Sequence, residues 1–110
     1  MTDVCIDVKM STKKRGRDIS WSFGTCNNDR TYGSNNKYTQ TCCFSTSPTR
    51  WVYQLDCKDA GGDGWRGAFI TINGVNYCED FLDGREKIVY IEANPSKYLS
   101  CLFQVLFFVY

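Results

Sequence analysis

A chain of 110 residues can bury roughly two-thirds of the surface its unfolded form exposes, so a single domain with its own core is expected. Its 13 basic and 12 acidic residues leave a net charge of +1, which excludes the broad field that gathers nucleic acid or an anionic membrane. Seven cysteines, no histidine and no Cys-x-x-Cys spacing set zinc ribbons aside and point to disulfides formed in an oxidising compartment.

In chain order, Val4, Ile6, Val8 and Met10 alternate with Cys5, Asp7 and Lys9, and Ile19, Trp21 and Phe23 alternate with Ser20 and Ser22. Period-two patterning of this kind predicts two half-buried strands. Between them, Lys13-Lys14-Arg15-Gly16-Arg17 has the composition of a charged hairpin connection, a solvated turn with an anion or glycan contact as the alternative. Gly24 to Lys37 carries little apolar content and reads as a long loop tied down by Cys26. A short strand is expected over Tyr38 to Phe44, a turn over Ser45 to Thr49, and a further strand in which Trp51, Tyr53, Leu55 and Cys57 face one side. Ala68 to Ile72 and Val75 to Cys78 flank Asn73-Gly74, the dipeptide that most strongly signals a hairpin. Asp83-Gly84 makes another turn before Lys87 to Ile91, and Asn94-Pro95 breaks the chain again. Residues 95 to 110 end in an apolar run, Leu99 to Tyr110, read as a C-terminal strand that is either buried or pairs with another chain. About six to nine short strands with regular turn signals predict an all-β, disulfide-braced β-sandwich of jelly-roll or CUB-like form.

The disulfide candidates are Cys5, Cys26, Cys42, Cys43, Cys57, Cys78 and Cys101, an odd set that leaves one thiol over. Adjacent residues in a strand point to opposite faces, so Cys42 and Cys43 are expected to serve different bridges. Cys57 and Cys78 bracket the most unusual stretch of the chain, and a bridge between them would stabilise the fold by roughly 3 kcal/mol through loop closure. The opening Met1-Thr2-Asp3 carries no secretory leader pattern, so a secreted, extracellular location is inferred from the cysteines alone. No run has the length of a membrane-spanning helix.

That unusual stretch runs from Asp56 to Gly67, with Gly61, Gly62, Gly64 and Gly67 marking a backbone path that residues with a Cβ follow with difficulty. Two readings of its aspartates stand side by side. Asp56, Asp59 and Asp63 with backbone carbonyls could converge on calcium, although the spacing is not that of an EF-hand; or the aspartates accept backbone N–H groups and shape the turn. Trp65 either stacks on a ligand or lids the core, and Arg66 follows it directly.

Ile19-Ser20-Trp21-Ser22-Phe23-Gly24-x-Cys26, Cys42-Cys43, Tyr53-x-Leu55-x-Cys57-Lys58-Asp59-x-Gly61-Gly62-Asp63-Gly64-Trp65-x-Gly67 and Tyr77-Cys78-x-Asp80-Phe81 together resemble a secreted, cysteine-bearing module of extracellular proteins in marine invertebrates and protists. The resemblance covers roughly residues 4 to 93, its hallmark is the Gly-Asp-Gly-Trp-x-Gly turn, and it is loosely similar to CUB domains. It implies an extracellular β-sandwich without a catalytic role.

Enzymatic activity is not expected, since no histidine, nucleophile motif or phosphate-cradling glycine loop is present. The sequence points to an extracellular interaction module that binds protein or carbohydrate through Asp59, Asp63, Trp65 and Arg66, with calcium as a candidate cofactor. The alternative is a matrix or mineral-associated protein that self-assembles through Cys101 or the apolar C-terminal strand.

Overall fold

The computed structural model describes residues 2–46 and 51–93. The expected C-terminal strand, Cys101 and most of the Ser45 to Thr49 turn lie outside the described residues. Eight strands are present among those described: β1 (Thr2–Ser11), β2 (Ile19–Phe23), β3 (Cys26–Asn27), β4 (Lys37–Thr46), β5 (Trp51–Asp59), β6 (Phe69–Ile72), β7 (Val75–Tyr77) and β8 (Glu86–Ala93). They form two four-stranded sheets, ordered β4-β1-β6-β7 and β3-β2-β5-β8, with every ladder antiparallel. The fold is the expected disulfide-braced all-β sandwich.

Alternation in the sequence becomes the two faces of each sheet. Ile6, Val8 and Met10 of β1 are buried while Cys5, Asp7 and Lys9 are exposed. Ile19, Trp21 and Phe23 of β2 and Leu55 and Cys57 of β5 face them from the second sheet, as one apolar cluster that also takes in Phe44, Ile70 and Ile72. The sheets meet through aromatic edges: Phe23 lies 5.4 Å from Phe44 at 85°, and Phe44 lies 4.6 Å from Tyr53.

Of the three disulfides among the described residues, two link the sheets to each other, and the third staples a hydrogen-bonded pair of strands. Cys42 is buried and Cys43 exposed, and they serve different bridges, as their adjacency predicts. Cys43 bonds Cys5, its cross-strand neighbour on the outer face of the first sheet. Cys42 bonds Cys26 and ties β3 of the second sheet to β4 of the first. Cys57 of β5 bonds Cys78, just beyond β7, so this bridge also spans the two sheets. Three bridges in a small all-β domain fit folding in an oxidising environment. Among the described residues no helix is long and apolar enough to cross a membrane.

Asn73 and Gly74, at φ 52° and 82°, make the two-residue hairpin between β6 and β7, with Ile72 opposite Val75. The hairpin expected at Lys13 to Arg17 does not form. β1 pairs with β4 and β6 whereas β2 pairs with β3 and β5, so this segment crosses from one sheet to the other through a single 3-10 turn, Gly16–Asp18. The crossing is anchored against the segment that precedes β4. Thr12, buried at 2 % exposure, donates its hydroxyl to the Gly33 carbonyl at 2.6 Å and accepts the Asn36 N–H at 3.0 Å. Asn35 N–H donates to the Lys13 carbonyl at 2.8 Å. Gly16 is required by close approach: a Cβ there would stand 2.2 Å from the Gly33 carbonyl oxygen.

Candidate functional site

Chain reversal after β5 builds the glycine loop. Gly62, Gly64 and Gly67 lie at φ 81°, 76° and 96°, the left-handed region that glycine enters without a Cβ clash. Gly64 has a second constraint, because a Cβ would meet the backbone of Phe81, Leu82 and Asp83 at 2.5 to 2.6 Å. The loop is laced to the segment before β8. Gly64 N–H donates to the Gly84 carbonyl at 3.0 Å, Gly84 N–H to that of Gly62 at 3.1 Å, and Trp65 N–H to that of Phe81 at 2.7 Å. Backbone groups satisfied in this way give a loop of fixed shape.

Trp65 is the floor of this loop. Its ring is 1 % exposed and packs 6.2 Å from Phe81, and its indole N–H donates to the Lys58 carbonyl at 2.8 Å. Of the two roles open to it in the sequence, the structure places it as a core residue.

The three aspartates divide. Alternation along β5 continues to Asp59, so residues three apart point to opposite faces: Asp56 stands on the outer face beside Lys58 (3.9 Å), and Asp59 is buried at 3 % exposure. Asp56 also raises the pKa of Glu86, first by a side-chain hydrogen bond and then by charge repulsion. Asp59 and Asp63 are brought together, and Asp63 N–H donates to Asp59 Oδ2 at 2.7 Å, a carboxylate holding an amide four residues on. Among the described residues no three His, Cys, Asp or Glu side chains gather in a way that would hold a metal ion.

Burial, followed by the hydrogen bond to Asp63, pushes the Asp59 carboxyl up, whereas the hydrogen bond to Asp59, followed by the charges of Arg15 and Arg66, holds Asp63 below the usual carboxylate range. The sign for stability follows. An acid whose pKa is raised by folding contributes stability below its unfolded value of about 3.9, and that contribution is lost as pH rises through the folded value. Asp59→Asn keeps an oxygen for the Asp63 N–H and removes the buried charge, so it is expected to melt higher than wild type at pH 7, with the gain shrinking at pH 3. Asp59→Ala leaves the amide unpaired and is expected to lose about 1–3 kcal/mol at both. Thermal melts of the two variants at the two pH values check this.

The crossing segment and the glycine loop meet. Ala60 N–H donates to the Asp18 carbonyl at 2.9 Å, and the Lys13 side-chain stem lies 3.8 Å from where a Gly67 Cβ would stand. Between them lies a cleft of about 600 Å³ lined by Lys13, Lys14, Arg15, Asn35, Asp59, Asp63, Gly64 and Arg66. Arg15 reaches Asp63 Oδ2 at 3.5 Å. Two of the cations have left-handed backbones, Arg15 at φ 57° and Arg66 at φ 51°. For a residue with a Cβ this region costs about 1–2 kcal/mol.

Asp59, Asp63 and Arg66, singled out in the sequence, therefore line one cleft, while Trp65 supports it from beneath. Lys13, Lys14 and Arg15 belong to the segment whose sequence reads as a charged turn with an anion or glycan contact as the alternative, and Asn35 to the long polar loop Gly24 to Lys37. No protein-family model matches the chain, and no curated protein or solved structure matches it either. The resemblance carried by the Gly-Asp-Gly-Trp-x-Gly turn rests on those residues alone.

Proposed function

We propose that the chain is a secreted, non-enzymatic interaction module that holds a protein or carbohydrate partner in the cleft between Lys13–Arg15 and Asp63–Arg66. The observation that carries this reading is the pair of arginines with left-handed backbones. With Asn35, they make three of the five described non-glycine residues in this region, all lining one cleft, and such residues cluster where function needs them. The volume supports it too, since clefts that hold small ligands fall between about 300 and 1,000 Å³.

Glycine at either site trades strain for chain entropy, terms of similar size, so Arg15→Gly and Arg66→Gly are expected to fold with nearly unchanged melting temperature. Screened against a glycan array and in pull-downs from extracellular fluid, the double variant is expected to lose the partners that wild type retains. Equal retention by both proteins would refute the cleft as the interaction face.

Self-assembly is the second reading, and one observation favours it. Val52, Ile88 and Tyr90 are 53 %, 44 % and 69 % exposed on the outer face of the second sheet, where β8 is the last of the described strands. A concentration-dependent dimer in sedimentation, abolished by Tyr90→Lys, would support it.

A further inference from the structure

The cleft gathers charge that the chain as a whole lacks. Four of the 13 basic residues line it, although the net charge is only +1. Lys13, Lys14 and Arg66 are exposed, and among the described residues their side chains make no hydrogen bond or ion pair. Among the described residues only Arg15 makes an ion pair, and its 3.5 Å contact with Asp63 joins side chains that are 69 % and 33 % exposed, an arrangement worth little in water; Arg66 acts on the same carboxylate through charge alone. Four cations from two separate loops, set against Asp59 and Asp63 in one concavity, leave an excess of positive charge that focuses a positive potential there.

The lining also says what kind of anion fits. Among the described residues it contains no aromatic ring, since Trp65 is buried under the loop, and these residues offer no stacking platform of the kind neutral sugars favour. Asn35 and Asp63 offer a carboxamide and a carboxylate to hydroxyl groups beside the cations. A ligand that is polyhydroxylated and anionic at once uses both sets. The space accommodates a few sugar rings, whereas an acidic protein face would need a patch of about 800 Å² rather than a cleft.

We infer that this cleft binds an acidic oligosaccharide, whose sulfate or carboxylate groups pair with Lys13, Lys14, Arg15 and Arg66. The inference rests on the cleft being the interaction face, and it goes further by naming the ligand's chemistry. Arginine forks suit the bidentate geometry of these anions, and the two lysines add point charges without a directional demand.

Titration calorimetry with the full chain tests it, using as probes a fully sulfated heparin tetrasaccharide, its desulfated N-acetylated counterpart and a short polyglutamate peptide. The sulfated probe is expected to bind, and to weaken by about tenfold or more between 0.05 and 0.5 M NaCl as screening shortens. Arg15→Gly and Arg66→Gly should each weaken it by about tenfold while melting like wild type, and Lys13→Ala should weaken it less. Separating sulfate from carboxylate, a hyaluronan tetrasaccharide binding as well as the sulfated one would assign recognition to carboxylates and still support the inference. Equal binding of the desulfated probe, which keeps its uronic carboxylates, would read as the hyaluronan result does; tighter binding of polyglutamate, indifference to salt, or no binding of any acidic saccharide would overturn it. If the double glycine variant still loses its array or pull-down partners in those cases, the cleft stands as the interaction face and only the ligand chemistry fails.

Discussion

Trp65→Ala is expected to cost about 3–5 kcal/mol, the range for truncating a large buried aromatic. Removing the indole empties the space against Phe81 and strips the Lys58 carbonyl of its 2.8 Å donor. A loss of that size is a large share of the roughly 5–15 kcal/mol that holds a domain together, and it lowers the melting temperature by more than about 10 °C. Trp65→Phe separates the two contributions. It keeps most of the apolar contact and gives up the hydrogen bond, for an expected loss of about 1–3 kcal/mol. An alanine variant that melted like wild type and failed only in binding would make Trp65 a contact residue instead of the loop's floor.

The second large effect is at the base of the same loop. Cys57 and Cys78, 21 residues apart, close a segment that contains the whole glycine turn and the β6–β7 hairpin. Loop-closure entropy assigns roughly 3 kcal/mol to such a bridge. The Cys57→Ala, Cys78→Ala double variant is therefore expected to unfold at clearly lower denaturant with a steeper dependence on denaturant, because its unfolded chain is less constrained. Denaturation followed by tryptophan fluorescence measures both. An unchanged midpoint would mean that the backbone bonds between Gly62 and Gly84 already fix the loop without the bridge.

Local pattern made much of this fold legible. Alternation at Ile6-Val8-Met10 and at Tyr53-Leu55-Cys57 named the strands and their inner faces, and Asn73-Gly74 named the hairpin, since these signals depend on neighbouring residues alone. The adjacency of Cys42 and Cys43 was enough to separate their bridges. Sheet membership was not legible. Nothing in the periodicity of β1 and β2 says that they pair with distant strands and not with each other, so the basic segment between them read as a hairpin.

The same limit hid half of the cleft. Lys13–Arg15 reaches the glycine loop because Thr12 bonds Gly33 and Asn36 and because Gly16 admits the Gly33 carbonyl, contacts about twenty residues apart in sequence. Tyr32 is a similar case. It lies in a polar loop, yet it is buried and accepts the Trp21 indole N–H at 2.7 Å, and burial pushes its hydroxyl pKa up. Asp56, Asp59 and Asp63 share one acidic stretch of the sequence, but β5 runs to Asp59, and alternation along it places Asp56 and Asp59 on opposite faces.

A map of backbone amide chemical shifts, recorded with and without the sulfated tetrasaccharide, tests most directly whether the two loops act as one recognition cleft. Shifts are expected at Lys13, Lys14, Arg15, Asn35, Gly64 and Arg66, with Val52, Ile88 and Tyr90 unmoved. Shifts confined to the outer face of β5 and β8, or none at the cleft under saturating probe, would contradict the account.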